Sequence, residues 1–600
     1  MKGIAIGLSN NSKEILKRLK KTEFVKDIYI AGSSKEDGKE NELIQVQKPR
    51  EILLKKWPEI DLIIFIGSIA ASIRIINSFL TSKDQDPGVI VIDNKCSKIV
   101  PLIGLHQSNT QNIACQIANL LGGEIIETNN SNDQSLLNLD AFGNQWGWKR
   151  SGKINDWSKL VIKQAKNEEI FCKQLSGNSL WKTSESGEII NQINEKEIEK
   201  PDSTFHVSIF ENHETTWHPP VLWIGIGCER NTSKELIANS LNNFFESGDL
   251  SQQSIAGFAT IDIKKDEKGI LELAEEKNLP IKFFSKEDLS TIIVPNPSSV
   301  VEKEIGTPSV AEASCLLAAG EESKLLEEKR IFKNQSGAVT IAVAESKNQY
   351  NPTHGEIHII GSGPGDISFL TSNAKKALSR CTVWIGYKMY LDLIKPLKRN
   401  DQVLIESKLT EEKERCSKAI KLAEEGIKVA LISSGESGFY GMAGLLLELL
   451  QKIKKEYRPY FEVHPGISSV QLAAAISGAP LMNDFCSVSL SDKLTPWSLI
   501  EKRIEGALVG DFVIALFNPQ SIERNWQLKS VIDKCLQSRH GDTPVLIARQ
   551  VGRENQTKKF FTLNTIPFKE IDMLSIIIIG NSQTTLVDEI FLTPRGYLQN

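Results

Sequence analysis

The sequence predicts an α/β protein made of several α/β domains. Two observations carry this. Strand-sized apolar runs that end in glycine or a polar turn recur along the chain, among them DLIIFIG (61–67), GVIVID (88–93) and VALISSG (429–435). A continuous apolar run of that length fits a strand buried on both faces of a parallel sheet. Between these runs lie segments with helical spacing, such as Ile15, Leu16 and Leu19. Strand–helix alternation implies a mostly parallel sheet with helices on its faces. The sharpest junction is IHIIGSGPGD (357–366), where four β-prone residues run into Gly361, Gly363 and Gly365. The pattern fails G-x-G-x-x-G and carries no G-K-S/T, so neither the dinucleotide fingerprint nor a P-loop is present. A glycine loop at the carboxyl end of a strand is still where open α/β sheets bind ligands.

Six hundred residues exceed one core and imply roughly four domains of about 150 residues each. A net charge of −4 and a pI near 6.2 argue against a nucleic-acid groove. Nine cysteines stand singly at 96, 115, 172, 228, 315, 381, 416, 486 and 535, with no C-x-x-C. Neither a zinc ribbon nor a redox pair is indicated, and reduced thiols in a cytoplasm fit this usage. MKGIAIGLSN has no signal-peptide core, and the longest apolar runs are too short to span a bilayer. A cytoplasmic protein without a membrane segment is the expectation.

In chain order, residues 1–127 read as one α/β domain. Its strands are expected at 3–8, 28–31, 61–67 and 88–93, and a helix ending at Gly122-Gly123. His106, in PLIGLHQSNT (101–110), sits at a strand–helix junction where an acid/base group would be placed. Residues 128–220 form a middle subdomain and linker, poorer in apolar residues but containing WGW (146–148), Trp157 and Trp181. There 204–220 reads as one strand followed by a linker closed by Pro219-Pro220. His206, His213 and His218 lack metal-ligand spacing.

Residues 221–346 read as a second α/β domain. Val339–Glu345 is expected to close its sheet, and Ser309 to cap the helix carrying Glu312. A polar linker, 346–354, shows no periodicity. Residues 355–600 read as two further α/β halves, the run 573–582 resembling a parallel core strand.

The motifs GSGPGD (361–366), SSGESGFYGMAG (433–444) and VHPGISSVQLAAA (463–475) occur in this order. In them the last module resembles the tetrapyrrole (porphyrin and corrin) methyltransferases. The stretches 478–504, 516–528, 549–554, 571–584 and TPRGY (593–597) resemble the branch acting at C-17 of precorrin-3B. Glu436 stands where the family's loop has aspartate, and Gln520 where it has arginine. The chain before the linker resembles the cobalamin-pathway hydrolases that open the lactone of cobalt-precorrin-5A. GIGCERNTS (225–233), 296–320 and TIAVAE (340–345) carry this likeness, with 61–76 and 86–93 nearer the amino terminus. Those hydrolases have a G-H-x-G-G-A-N loop where this sequence reads GLHQSN (104–109).

The resemblance implies a two-domain methylase with a cofactor cleft between its halves, and S-adenosylmethionine as methyl donor. Gly361, Gly363, Pro364, Gly365 and Asp366 would form the floor, so that a side chain at Gly363 would intrude on the donor. Gly435, Glu436, Ser437, Gly438, Phe439, Tyr440, Gly441 and Met442 would wrap it, with hydroxyls from Ser437 and Tyr440. Pro465, Gly466, Ser468 and Ser469 would lie at the mouth of the third strand, and Phe517 and Asn518 would come from the second half. The substrate is a tetrapyrrole or corrin precursor, its carboxylate arms clamped by Arg503, Arg524, Arg553 and Arg595. Asp484, Asp492 and Lys493 are candidate bases for the ring contraction. For lactone opening, His106, Lys264, Glu267 and Glu312 are the acid/base candidates. No resident metal, no nucleic acid and no membrane are expected, and a homodimer through the methylase module is. Other readings remain: a methylase of another tetrapyrrole branch, a first half that only binds corrinoids, and a nicotinamide oxidoreductase resting on the glycine loops alone.

Overall fold

The computed structural model describes every residue except 1, 32–44, 82–85, 105–109, 127–135, 194–200, 212–214, 335–336, 522–523 and 598–600. The chain divides into two compact units, residues 1–141 with 153–165, and residues 142–152 with 166–600. Among the described residues no helix is long and apolar enough to cross a membrane.

The first unit is built on a seven-stranded sheet. Its order is Gln45–Gln47, Asp27–Ala31, Gly3–Gly7, Leu62–Ile66, Gly88–Ile92, Lys98–Ile103, Glu124–Ile125. The first five strands run parallel, and Lys98–Ile103 turns back antiparallel to Gly88–Ile92. Alternate residues face opposite layers. Ala5, Ile28, Ile30, Leu62 and Ile64 pack with Leu16 and Leu19 of the helix Lys13–Lys20, and with Ile113 and Ile117 of Thr110–Leu121. Ile4, Ile6, Ile63 and Phe65 pack on the other side with Ile52 and Leu53. Both faces are covered, which is why these strands read as unbroken apolar runs.

Among the described residues, the second unit contains four five-stranded sheets and a small three-stranded one. In the first, the short strand Thr204–Val207 pairs in parallel with Thr216–His218, so the expected single strand and linker are in fact two strands. Phe142, Trp148, Trp181, Phe205 and Trp217 bury their rings there, Phe142 lying 5.2–5.8 Å from each of the other four. These five aromatic side chains supply an apolar core that a small sheet could not otherwise assemble.

The next sheet orders Ile281–Phe284, Ile255–Ile261, Leu222–Cys228, Gly337–Glu345, Lys324–Asn334. Gly337–Glu345 does not close it. The edge belongs to Lys324–Asn334, antiparallel to it and missed in the sequence because KLLEEKRIFKN is a charged, half-exposed strand. Ser309 does not cap the helix Ala311–Ala319, whose first-turn Glu312 instead accepts from the Ser309 hydroxyl at 3.3 Å.

Residues 346–354 are not a free linker. Gln349 is buried, and its Nε2 donates to the carbonyls of Trp146 (2.8 Å) and Glu425 (2.7 Å). Its Oε1 accepts from Trp148 Nε1 at 2.8 Å and Asn178 N at 3.3 Å. Beyond it lies an all-parallel sheet, Val403–Ser407, Val383–Tyr387, Lys428–Ser433, Glu356–Gly361, Tyr460–His464. The last sheet orders Phe485–Ser489, Val513–Phe517, Ser575–Ile579, Pro544–Arg549, Thr557–Thr562. Its central strand Ser575–Ile579 is antiparallel to both neighbours, correcting the parallel reading. Burial on both faces makes the run apolar whichever way the strand points.

Candidate functional site

The loop after Glu356–Gly361 meets the loops after Lys428–Ser433 and Tyr460–His464 backbone to backbone. Gly363 and Gly435 exchange hydrogen bonds, N to O at 3.1 and 2.8 Å, and Ser362 N donates to Ser433 O at 2.8 Å. A Cβ at Gly361 would lie 2.5 Å from Gly466 N, and one at Gly466 would lie 2.0 Å from Gly435 O. Glycine is therefore required at both positions by the approach of one loop to another. A fourth loop joins from the other half: Asp366 N donates to Gly552 O at 2.6 Å, and a Cβ at Gly365 would lie 2.2 Å from that same oxygen. The Asp366 carboxylate caps the following turn by accepting from Ser368 N at 2.7 Å, and the Ser368 hydroxyl first, then this amide, hold its pKa below the usual carboxylate value.

These loops surround a cavity of about 170 Å³. From the first half it is lined by Pro364, Tyr390, 434–436, Phe439, Tyr440, Ser468 and Ser469; from the second by Phe517, Asn518, 550–551, Arg553 and 573–576. Phe439, Tyr440 and Phe517 form one aromatic wall, their centroids 5.1–5.2 Å apart. Ser469 opens the helix Ser469–Ser477, whose amino end is a favourable place for an anion. Tyr440, Asn518 and Gln550 hold left-handed backbone, φ 57°, 49° and 51°. The Tyr440 hydroxyl donates to Ser487 O at 3.0 Å, and Asn518 Nδ2 to Ser489 Oγ at 3.1 Å. Glu436 accepts from Gly438 N at 2.6 Å.

The structure thus brings Pro364, Gly435, Glu436, Phe439, Tyr440, Ser468, Ser469, Phe517, Asn518 and Arg553 together. Other expected residues lie behind this surface. Gly363, expected to leave room for the donor, is not among the lining residues, and a Cβ there would meet Phe369 O at 3.2 Å. Ser437 is fully buried, and its hydroxyl has no partner among the described residues, so it lines no wall. Gly441 allows contact with Ser437 O, a Cβ there lying 2.4 Å from it. Met442 Sδ accepts from Arg415 at 3.0 Å, and Pro465 O from Thr371 Oγ1 at 3.2 Å.

Asp484, Asp492, Lys493, Arg503 and Arg595 do not line the cavity. Asp492 instead accepts from Gln527 Nε2 at 3.1 Å. Arg524 is buried and donates to the carbonyls of Leu490 and Asn518, both at 3.0 Å, so its guanidinium is taken up in shaping the loop. Arg553 is the expected arginine that does reach the cavity, its Nε 3.4 Å from Pro364 O. Tyr390, Ser434, Gln550, Val551 and 573–576 were not anticipated. Their signal in the sequence is only that most of them follow or begin strands of the sheets.

In the hydrolase-like half, His106 lies outside the described residues. Lys264 and Glu267 form a buried ion pair, 3.2 Å, with Arg230 3.8 Å from Glu267. Glu312 is fully buried, and its carboxylate accepts from Asn296 Nδ2 (3.0 Å), Lys329 N (3.2 Å) and Ser309 Oγ. Three bonds account for that carboxylate as an anchor of the loops around it.

Family models match three stretches: tetrapyrrole (corrin/porphyrin) methylases over 356–567, cobalamin synthesis G C-terminus over 222–344, and cobalamin synthesis G N-terminal over 51–132. A Salmonella typhimurium protein named "Probable cobalt-factor III C(17)-methyltransferase" is 44% identical over 241 residues, 40% of this chain and 99% of that one. A Priestia megaterium cobalt-factor III methyltransferase is 44% identical over 245 residues, covering 40% of this chain but only 45% of that relative. The solved methyltransferase CobJ is 32% identical, covering 40% of this chain and all of its own, with a TM-score of 0.39. Through its last module, the chain belongs to the tetrapyrrole (corrin/porphyrin) methylases.

Proposed function

We propose that this chain acts in cobalamin biosynthesis. Residues 355–600 would transfer a methyl group from S-adenosylmethionine to C-17 of precorrin-3B or cobalt-precorrin-3, with ring contraction. The residues before the linker would open the lactone of cobalt-precorrin-5A and release acetaldehyde. The observation that carries the methylase reading is the convergence of the three motif loops and the 550–553 loop on one cavity between two α/β halves. The residues present suit the donor. Gly435 lines the cavity with φ +66°, and a Cβ there would meet no atom nearer than Ser468 Cα at 3.7 Å, so packing alone does not require the glycine.

When bound, S-adenosylmethionine supplies an electrophilic methyl group. The chain's part is positioning, which accounts for much of the barrier reduction in such transfers. Phe439, Tyr440 and Phe517, packed as one wall beside the cavity, would offer aromatic surface to the donor's cationic sulfur. Backbone of 434–436 and the amino end of Ser469–Ser477 would hold polar ends of the donor. Arg553, which lines the cavity, would pair with a carboxylate arm of the macrocycle. The test is product mass and absorbance with precorrin-3B and with cobalt-precorrin-3. One added methyl group on either supports the reading; no transfer from the donor to either overturns it.

For the hydrolase, acetaldehyde release by the full chain is the measurement. His106→Ala is expected to lower it by about 100-fold, the contribution of a general acid/base. Unchanged turnover would move the chemistry to Lys264 and Glu267. Absence of acetaldehyde from the unmodified chain would favour a first half that holds corrinoids without hydrolysing them. The methylase module would also pair the chains, so sedimentation should give twice 66.8 kDa, and a monomer at micromolar concentration would refute that.

A further inference from the structure

Away from the cavity, one edge of the parallel sheet carries a compact polar cluster. Glu356 and His358 alternate along Glu356–Gly361, and Glu462 and His464 along the edge strand Tyr460–His464. The register sets His358 beside Glu462, and residues two apart share a face, so all four side chains stand on one side. His358 Nδ1 is 2.9 Å from His464 Nε2, which is 3.8 Å from a Glu462 oxygen. The three ligand atoms all lie within 4.8 Å of one another.

The other nitrogen of His358, Nε2, is 2.9 Å from Glu356. Glu356 is ion-paired with Lys428 (2.9 Å) and Arg380, so it acts as an acceptor and the Nε2 proton is fixed towards it. That leaves the His358 Nδ1 lone pair aimed at His464 Nε2, which carries the proton of that contact and releases it when a metal takes its place. A carboxylate behind one nitrogen of an imidazole whose other nitrogen faces further donors is the arrangement that orients metal-binding histidines. Both imidazoles are buried, while Glu462 is exposed and offers a way in.

We propose that His358 Nδ1, His464 Nε2 and the Glu462 carboxylate bind a divalent transition ion of the zinc type. Two imidazoles and one carboxylate suit such an ion; calcium and magnesium demand more oxygen ligands. Bonds of about 2.0–2.1 Å in a tetrahedral site require the two nitrogens to part to roughly 3.3 Å, a shift of a few tenths of an ångström. His464 directly precedes Pro465-Gly466, whose loop packs on Gly435 and leads to Ser468 and Ser469 at the cavity. An ion here would tie the root of that loop to the neighbouring strand.

The test is titration of the metal-free full chain with Zn²⁺ alone, and with Co²⁺ as a spectroscopic reporter. One ion per chain is expected, with a four-coordinate cobalt spectrum free of thiolate charge transfer. Glu462→Gln should bind about tenfold more weakly or worse, and His464→Gln should not bind. Glu462 is at the surface, so Glu462→Gln should melt like the unmodified metal-free protein and remains informative if His464→Gln fails to fold. No binding, equal affinity in Glu462→Gln, or a sulfur-ligated cobalt spectrum would each overturn the proposal.

Discussion

Gly363 and Gly435 allow the placement of the donor to be separated from the stability of the loops. Both hold left-handed backbone, φ +74° and +66°. A Cβ at either costs about 1–2 kcal/mol, so Gly363→Ala and Gly435→Ala should each lower the melting temperature by roughly 2–8 °C. Their surroundings differ. A Cβ at Gly363 sits 3.2–3.3 Å from Phe369, away from the cavity. A Cβ at Gly435 meets Ser468 Cα at 3.7 Å and Ser469 N at 3.9 Å, residues that line the cavity with it. Titration calorimetry with S-adenosylmethionine, well below the melting point, should find Gly435→Ala about tenfold weaker, or about 1.4 kcal/mol. Gly435→Val adds two further carbons and should lose at least about 100-fold, or about 2.7 kcal/mol. Gly363→Ala should stay within about twofold. Equal weakening by the two alanine variants, or wild-type binding by Gly435→Val, would refute this placement of the donor.

Gln349→Leu should destabilise the second unit by about 3 kcal/mol in urea unfolding, since it leaves Trp148 Nε1 and two buried carbonyls without their partner. Burial holds His218 and His354 below the usual imidazole pKa, against the opposing pull of the Glu211 carboxylate and Ser208 carbonyl on the first and of the Gly426 carbonyl on the second. Their folded forms are therefore neutral. The stability they contribute is complete above about pH 6.5 and is lost as the pH falls from there through their lowered values. Melting temperatures between pH 7.5 and 5.5 should fall less steeply in His218→Gln than in the unmodified chain.

Elements with a strong local pattern were legible in the sequence. Leu62–Ile66, Gly88–Ile92, Glu356–Gly361 and Lys428–Ser433 are apolar runs that announce themselves. What failed depends on partners distant in the chain. The direction of Ser575–Ile579 is set by its neighbours, not by its own residues. Lys324–Asn334 is an edge strand whose charges hide its pairing. Gln349 looks like part of a polar linker until its four partners, three of them 171 to 203 residues to one side and the fourth seventy-six to the other, are in place. In the cavity, the glycine motifs located the loops but not the direction each α-carbon faces. Gly361 and Gly466 serve loop packing, whereas Gly435 faces the space between the halves. Both uses favour glycine, so the letter alone cannot tell them apart.

The strained positions around the cavity have a common consequence. Left-handed backbone at a residue other than glycine costs of order 1 kcal/mol or more and persists only where the surroundings hold it. Tyr440, Asn518 and Gln550 all line the cavity in that conformation. Each is held by a bond: the Tyr440 hydroxyl to Ser487 O, Asn518 Nδ2 to Ser489 Oγ, and Gln550 N to Leu574 O at 3.0 Å. The Tyr440 bond crosses from the first half to the strand Phe485–Ser489 of the second. Asp366 N to Gly552 O and Arg553 Nε to Pro364 O cross the same way. The two halves are therefore fixed against each other at three points around the space where donor and acceptor must align. A transfer that depends on in-line placement gains from walls set before the substrate arrives, because little ordering is then left for the reaction itself.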